Sequence, residues 1–183
     1  MSPIFRKSPY AIIVAIAVVI VAIYGVRQYQ NCRTHTNIVG VKGASLQGIV
    51  SGGEQVRSVQ GYYTCHEIMR GDIVEYAYGN ALEAPIIKIV KGMPGDHWRV
   101  YENKNKLNVI EVNGQILTTS YGNPYELDEK RGRMLNLYVN DYHGVIPRDA
   151  YLILGNLPNG SLDSSAFGLV SKGNLIGRVF LMN

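Results

Sequence analysis

One lysine in this sequence stands where a lysine is costly. Ile86-Ile87-Lys88-Ile89-Val90 sets a single charge inside a run of β-branched aliphatic residues. On a strand, alternate side chains share a face, so Lys88 falls in step with Ile86 and Val90, and Lys91 falls on the opposite side. An ammonium ion among aliphatic side chains is disfavoured, and desolvation favours the neutral amine. A neutral amine near neutral pH can take the proton of a serine hydroxyl, the step that makes serine a nucleophile. The same residue also reads as a lysine whose stem covers apolar surface while its head reaches water. The strand alone does not choose between these. Other chemistry-bearing types offer less. His35, His66, His97 and His143 are scattered, and there is no Cys-x-x-Cys, so neither a metal nor a cofactor is expected.

The surroundings of Lys88 decide more than the lysine itself. Gly92-Met93-Pro94-Gly95-Asp96 begins four residues after it. The segment resembles that of the type I signal peptidases, in which the general-base lysine stands four residues before Gly-x-Pro-Gly-Asp. Four further segments follow that family's order. Gly43-Ala44-Ser45-Leu46 is similar to its nucleophile segment, and Arg70-Gly71-Asp72-Ile73-Val74 to its Gly-Asp-aliphatic-Val segment. Gly155-Asn156-Leu157-Pro158-Asn159-Gly160-Ser161-Leu162-Asp163-Ser164 is similar to its Gly-Asp-Asn-x-x-x-Ser-x-Asp-Ser, and Asn174-Leu175-Ile176-Gly177-Arg178 to its closing Asn-Leu-Val-Gly-Arg.

The resemblance implies Ser45 as nucleophile and Lys88 as general base, a pair that replaces the histidine and acid of a triad. It implies that Ser161 hydrogen-bonds the lysine amine, that Asp163 supports the site, and that Gly43 leaves room beside an oxyanion hole made by the Ser45 N–H. Four departures stand out. Leu46-Gln47-Gly48 follows the nucleophile where the family has Met-x-Pro or Met-Pro, and Gly43 takes a place that is serine in some members. Asn156 replaces a frequent Asp. Ser165 replaces a frequent Arg, which removes the usual ion-pair partner of Asp163.

The elements that must position these residues are short. Twenty glycines and thirteen tyrosines in 183 residues point to a turn-rich, strand-rich body. Strands are expected over 73–78, 86–90, 107–112, 115–119, 135–139, 151–154 and 175–181. Asn113-Gly114 between two of them is the strongest short hairpin signal. The expected fold is mainly β, with the coiled β-barrel character that the resemblance implies, plus one N-terminal transmembrane helix. From Ser8 to Val26 there is no charge, and 19 residues rise roughly 28 Å, close to a bilayer's hydrocarbon thickness. Arg6 and Lys7 before the run favour a cytoplasmic N-terminus. A cleaved secretory signal is the competing reading, but Ala22-Ile23-Tyr24-Gly25 offers no small-x-small site.

The division expected is 1–28 as anchor, 29–40 as linker and 41–183 as β-rich peptidase domain. Cys32 and Cys65 both follow the anchor and could pair in an oxidising compartment; two unpaired thiols are the equal alternative. A net charge of +4 without a basic cluster excludes a nucleic-acid partner.

The expected function is a membrane-bound serine endopeptidase removing signal or leader peptides from exported proteins after small residues. Its partners would be the lipid bilayer and preproteins or, given the compact Ser45-to-Lys88 spacing, pilin precursors of conjugation systems. The resemblance places it in the bacterial inner membrane, single-pass, with the catalytic domain on the periplasmic side. Two rivals remain open: a self-cleaving relative of the SOS repressors, and a catalytically inactive, membrane-tethered β-domain that binds a secretion or pilus partner. The first would need DNA-binding helices, which the pattern lacks. The second is favoured by Leu46-Gln47 alone.

Overall fold

In the computed structural model, which describes residues 9–31, 33–79 and 84–182, the apolar runs become strands of two antiparallel sheets. The chain divides into two units, 1–33 and 34–183.

The first unit carries α1 (Pro9–Asn31). Its described side chains are apolar and none is buried, Ile13, Val14 and Val21 among them. Among the described residues no helix is long and apolar enough to cross a membrane.

In the second unit the larger sheet has the order β1-β2-β11-β3-β4-β9-β10. These strands are β1 (His35–Gly40), β2 (Gln55–Gln60), β3 (Ile73–Tyr76), β4 (Ile86–Gly92), β9 (Ala150–Leu154), β10 (Val170–Ser171) and β11 (Leu175–Leu181). The smaller sheet joins β5 (Trp98–Glu102), β6 (Asn108–Val112) and β7 (Gln115–Ile116), with β8 (Glu126–Leu127) also on β6. Asn113 and Gly114 both take positive φ, 50° and 81°, between β6 and β7, so the hairpin closes on the two residues that tolerate that turn.

The larger sheet is covered on both faces. Val74, Val90 and Ile153 pack into one apolar cluster with Tyr63 and Leu175, while Ile89 and Val179 pack into another with Val41, Leu46 and Val56. Burial on both faces is why β4 reads as a continuous apolar run and not an alternating one. A third cluster (Trp98, Ile110, Leu127, Leu135, Leu152, Leu154) lies between the smaller sheet, β9 and α2.

Two expectations are corrected. The strand expected over 135–139 is part of α2 (Glu129–Asp141), capped by Asp128, whose side chain accepts from Arg131 N at 2.8 Å. Only Gly132 and Leu135 of this helix are buried, too few for a stripe of period 3.6 to show in the sequence. Inside the segment expected as linker, α1 continues to Asn31 and β1 begins at His35, pairing with β2 from His35↔Gln60 to Gly40↔Gln55. Its exposed polar residues belong to an edge strand, which carries little apolar alternation. Cys65 is disulfide-bonded; Cys32, the partner weighed from the sequence, lies outside the described residues.

Candidate active site

Residues from three separated segments meet at the first turn after β1. Gly43 (φ 77°) turns the chain, and Leu46 anchors the turn in the core at 1% exposure. Gln47 N donates to Ala44 O at 2.9 Å and Val50 N to Leu46 O at 3.1 Å, which closes the turn and leaves Ser45 half-buried at its crest. Among the described residues the Ser45 N–H donates to no acceptor, so it is free for a developing oxyanion.

β4 supplies the amine. Lys88, 4% exposed and paired with Val74 of β3, donates from Nζ to Ser45 Oγ at 3.0 Å and to the Ile87 carbonyl at 2.7 Å. Burial lowers its pKa to about 8, against the opposing pull of the Asp163 carboxylate. Near pH 8 a large fraction of Lys88 is therefore an amine able to take the Ser45 proton. Lys91, three residues on, donates to Thr118 O at 3.2 Å and does not share this geometry.

The third segment follows β9. A Cβ at Gly155 would run into Ser161 Oγ and, at 2.7 Å, into the Ser45 carbonyl oxygen, so only glycine lets these parts close. Asn156 N donates to Ser45 O at 2.6 Å, and the Asn156 side chain donates to Gln47 O at 2.6 Å and Ser120 Oγ at 2.7 Å. The asparagine that departs from the resemblance thus clamps the nucleophile turn. Its amide donates where a carboxylate could only accept.

Ser161 is 2% exposed, and among the described residues its hydroxyl has no hydrogen-bond partner. The expected bond to Lys88 is not made; the amine is turned to Ser45 and Ile87 instead. An orphaned buried hydroxyl costs about 1–3 kcal/mol. Asp163, fully buried, accepts from Tyr125 O–H at 3.1 Å, Gly155 N at 2.8 Å, Ser165 N at 2.9 Å and Ser165 O–H at 2.6 Å.

An arginine does approach Asp163, from α2 and not from position 165. Arg131 Nη1 lies 3.9 Å from Asp163 Oδ1 and donates to Ser165 Oγ at 2.6 Å and to Ser161 O at 2.7 Å. No sequence pattern flagged Arg131 or Tyr125. Arg131 sits three residues after the helix-capping Asp128, and that capping pattern is the one signal that could have placed it on a helix.

A cleft of about 450 Å³ opens at Ser45 and Lys88, with aliphatic walls from β1, the nucleophile turn and β4 (Val39, Val41, Leu46, Ile86, Ile87); Glu75 of β3 also lines it. A larger cleft of about 800 Å³, beside Gln60, Tyr63 and Lys172, holds none of the candidate catalytic residues.

Comparison with known proteins follows the same lines. Residues 9–182 match the family described as signal peptidase, peptidase S26. The chain is 32% identical over 148 residues to signal peptidase IB of Staphylococcus aureus (strain COL), covering 76% of this chain and 73% of that protein. It is 31% identical over 127 residues to a probable signal peptidase I-2 of Synechocystis sp. (strain ATCC 27184 / PCC 6803 / Kazusa), covering 65% and 50%. A solved signal peptidase I from Enterococcus faecalis V583 aligns at a TM-score of 0.43 and 19% identity, over 63% of this chain and 98% of that one.

Proposed function

Because the chain belongs to the signal peptidase family, peptidase S26, we propose that it is a membrane-anchored endopeptidase in which Ser45 attacks the scissile carbonyl and Lys88 is the base. The observation that carries this reading is the buried Lys88 amine 3.0 Å from Ser45 Oγ. Neutral Lys88 takes the hydroxyl proton as Ser45 Oγ adds to the carbonyl carbon, and the Ser45 N–H, beside the open Gly43 position, receives the oxyanion. Lys88 returns the proton to the leaving amine, then activates the water that releases the acyl group. Ser161 stands ready to accept an N–H of the amine when Ser45 Oγ is engaged with substrate, which gives its orphaned hydroxyl a partner in the working state. Asp163, held by Gly155 and Ser165, keeps the Ser161 loop in place.

The peptide lies extended beside β1, an edge strand whose Val39 and Gly40 border the cleft. The shallow aliphatic walls next to Ser45 suit a small residue before the cut. The uncharged run from Ser8 to Val26, which α1 carries from Pro9 on, is the membrane anchor, with the 34–183 unit exported. Preproteins, among them pilin precursors, are the substrates.

The test is cleavage of a reporter preprotein with an Ala-x-Ala site by detergent-solubilised wild type, Ser45→Ala and Lys88→Ala, the cut located by mass spectrometry. Cleavage after the small residue by wild type, with both variants folded and inert, is the expected result. A wild type inert on this reporter and on a pilin precursor alike sinks the enzyme reading and leaves a tethered binding domain.

A further inference from the structure

A second groove adjoins the nucleophile turn, at the end that β1 does not lead into. Its volume is about 330 Å³, and its apolar walls come from Tyr121 and Pro124 ahead of β8 and from Leu157 and Pro158 after β9. A Cβ at Gly48 would meet the Tyr121 ring at 2.6 Å, so the ring rests on the turn three residues past Ser45. Leu157 is set in the same way against Gly160. Asn156, also in the lining, accepts from Ser120 N at 2.7 Å and donates to Gln47 O at 2.6 Å. It thereby fastens the 118–124 hairpin to the nucleophile turn. Lys91 Nζ donates to Thr118 O at 3.2 Å and ties the same hairpin to β4, the strand of Lys88. Both candidate reacting residues thus sit on segments fastened to one wall of the groove. Tyr121 and Leu157 nonetheless keep 64% and 42% of their surface exposed. Apolar side chains that are fixed by contacts and still uncovered beside a reacting group mark a place for a ligand. Glu126, the carboxylate in the lining, is engaged with Asn103 Nδ2 at 2.7 Å.

We propose that this groove is the subsite for the substrate segment that follows the scissile bond, and that Tyr121 and Leu157 select a large aliphatic or aromatic side chain there. The proposal rests on the peptidase reading above. In that reading the cleft along β1 holds the residues before the cut, and it shares no lining residue with the groove. Ser45 lies at the border between them: it lines the cleft, and its carbonyl accepts from Asn156 N, whose residue lines the groove. A peptide whose scissile carbonyl sits at Ser45 Oγ enters along β1 and leaves past Gln47 and Gly48, where the Tyr121 ring stands. An extended chain advances about 3.3 Å per residue, so it reaches the groove within a few residues of the cut. A side chain received between Tyr121 and Leu157 removes apolar surface from water on both partners. The segment departs with the leaving amine, so its contacts favour acylation and are gone before deacylation.

The experiment uses full-length wild type, Tyr121→Ala, Tyr121→Phe and Leu157→Ala in detergent, with thermal melting to establish that each is folded. Peptides share Ala-x-Ala before the cut and carry a single Leu, Phe, Ala or Glu at each of the first five positions after it. Wild type is expected to favour Leu and Phe over Ala by about tenfold in kcat/KM at one of those positions, with Glu poorest. In Tyr121→Ala and Leu157→Ala that ratio falls to about twofold or less, while Tyr121→Phe, which keeps the ring, keeps the ratio. The preference for Ala over Leu just before the cut stays the same in all three, which separates the groove from the cleft. A ratio that neither alanine variant changes, or no preference at any of the five positions, overturns the proposal. Binding of the labelled peptides to Ser45→Ala, read by fluorescence anisotropy, needs no cleavage. Adding Tyr121→Ala there is expected to weaken binding of the preferred Leu peptide about tenfold and to leave a peptide that ends at the cut unaffected. That result upholds the groove even if wild type hydrolyses nothing, so failure of the peptidase reading and failure of this inference are told apart.

Discussion

At the scale of single residues, the site turns on one proton. Burial holds the Lys88 pKa at about 8, below its ordinary 10.5, so its neutral amine, the form the proposed mechanism needs, is increasingly populated as pH rises through 8. The expected kcat/KM profile climbs roughly tenfold per pH unit below that value and flattens above it; a flat profile from pH 6 to 9 excludes Lys88 as base. The same shift has a sign for stability. Between about 8 and 10.5 the unfolded chain binds a proton that the folded chain does not, so stability rises with pH across that window, and below it the full cost of burying the ammonium is present. Lys88→Met is therefore expected to be inactive yet more stable at pH 7, by about 2 kcal/mol, with the gain fading above pH 10; denaturant melts at the two pH values read it out. Ser161, whose buried hydroxyl has no hydrogen-bond partner among the described residues, is another costly group.

At the scale of elements, the site depends on how closely three segments approach. Gly155 separates β9 from the nucleophile turn by no more than a missing methyl group. Gly155→Ala should displace Ser45 and Ser161 together and lower kcat by about a hundredfold, with a smaller change in KM. Helix α2 acts at longer reach. Its Arg131 forks between Ser165 Oγ and the carbonyls of Ser161 and Asn159. Arg131→Ala is expected to lower kcat/KM about tenfold by loosening the 159–165 loop. Arg131→Lys should not rescue it, because a point ammonium cannot hold three acceptors in fixed directions. The apolar strands and the Asn113-Gly114 hairpin were readable because their patterning is local. Helix α2 was not, since its single buried stripe is two residues wide and its identity depends on a cap and on the sheet it covers.

At the scale of the whole molecule, the two units differ in what they bury. The second buries three apolar clusters of its own, while the described side chains of α1 are exposed and apolar. Ile16→Arg with Val19→Arg should abolish retention in membranes after alkaline extraction, each charge costing about 3 kcal/mol at a helix centre. Cleavage of a short soluble peptide should persist, because both substitutions lie outside the 34–183 unit. Retention of the double variant would sink the anchor reading.

The sequence by itself determined the mainly β character and the apolar helix at the N-terminus and singled out Ser45 and Lys88 as candidates, because each is written in contiguous residues: a strand period, an uncharged run, a lysine at a set distance from Gly-Met-Pro-Gly-Asp. The tertiary structure alone decided what surrounds them. Arg131 reaches Ser165 across 34 positions, Asn156 reaches Gln47 across 109, and Glu75 meets Ser58 across 17. Contacts of that separation depend on sheet order and on which faces close, and no local pattern encodes them.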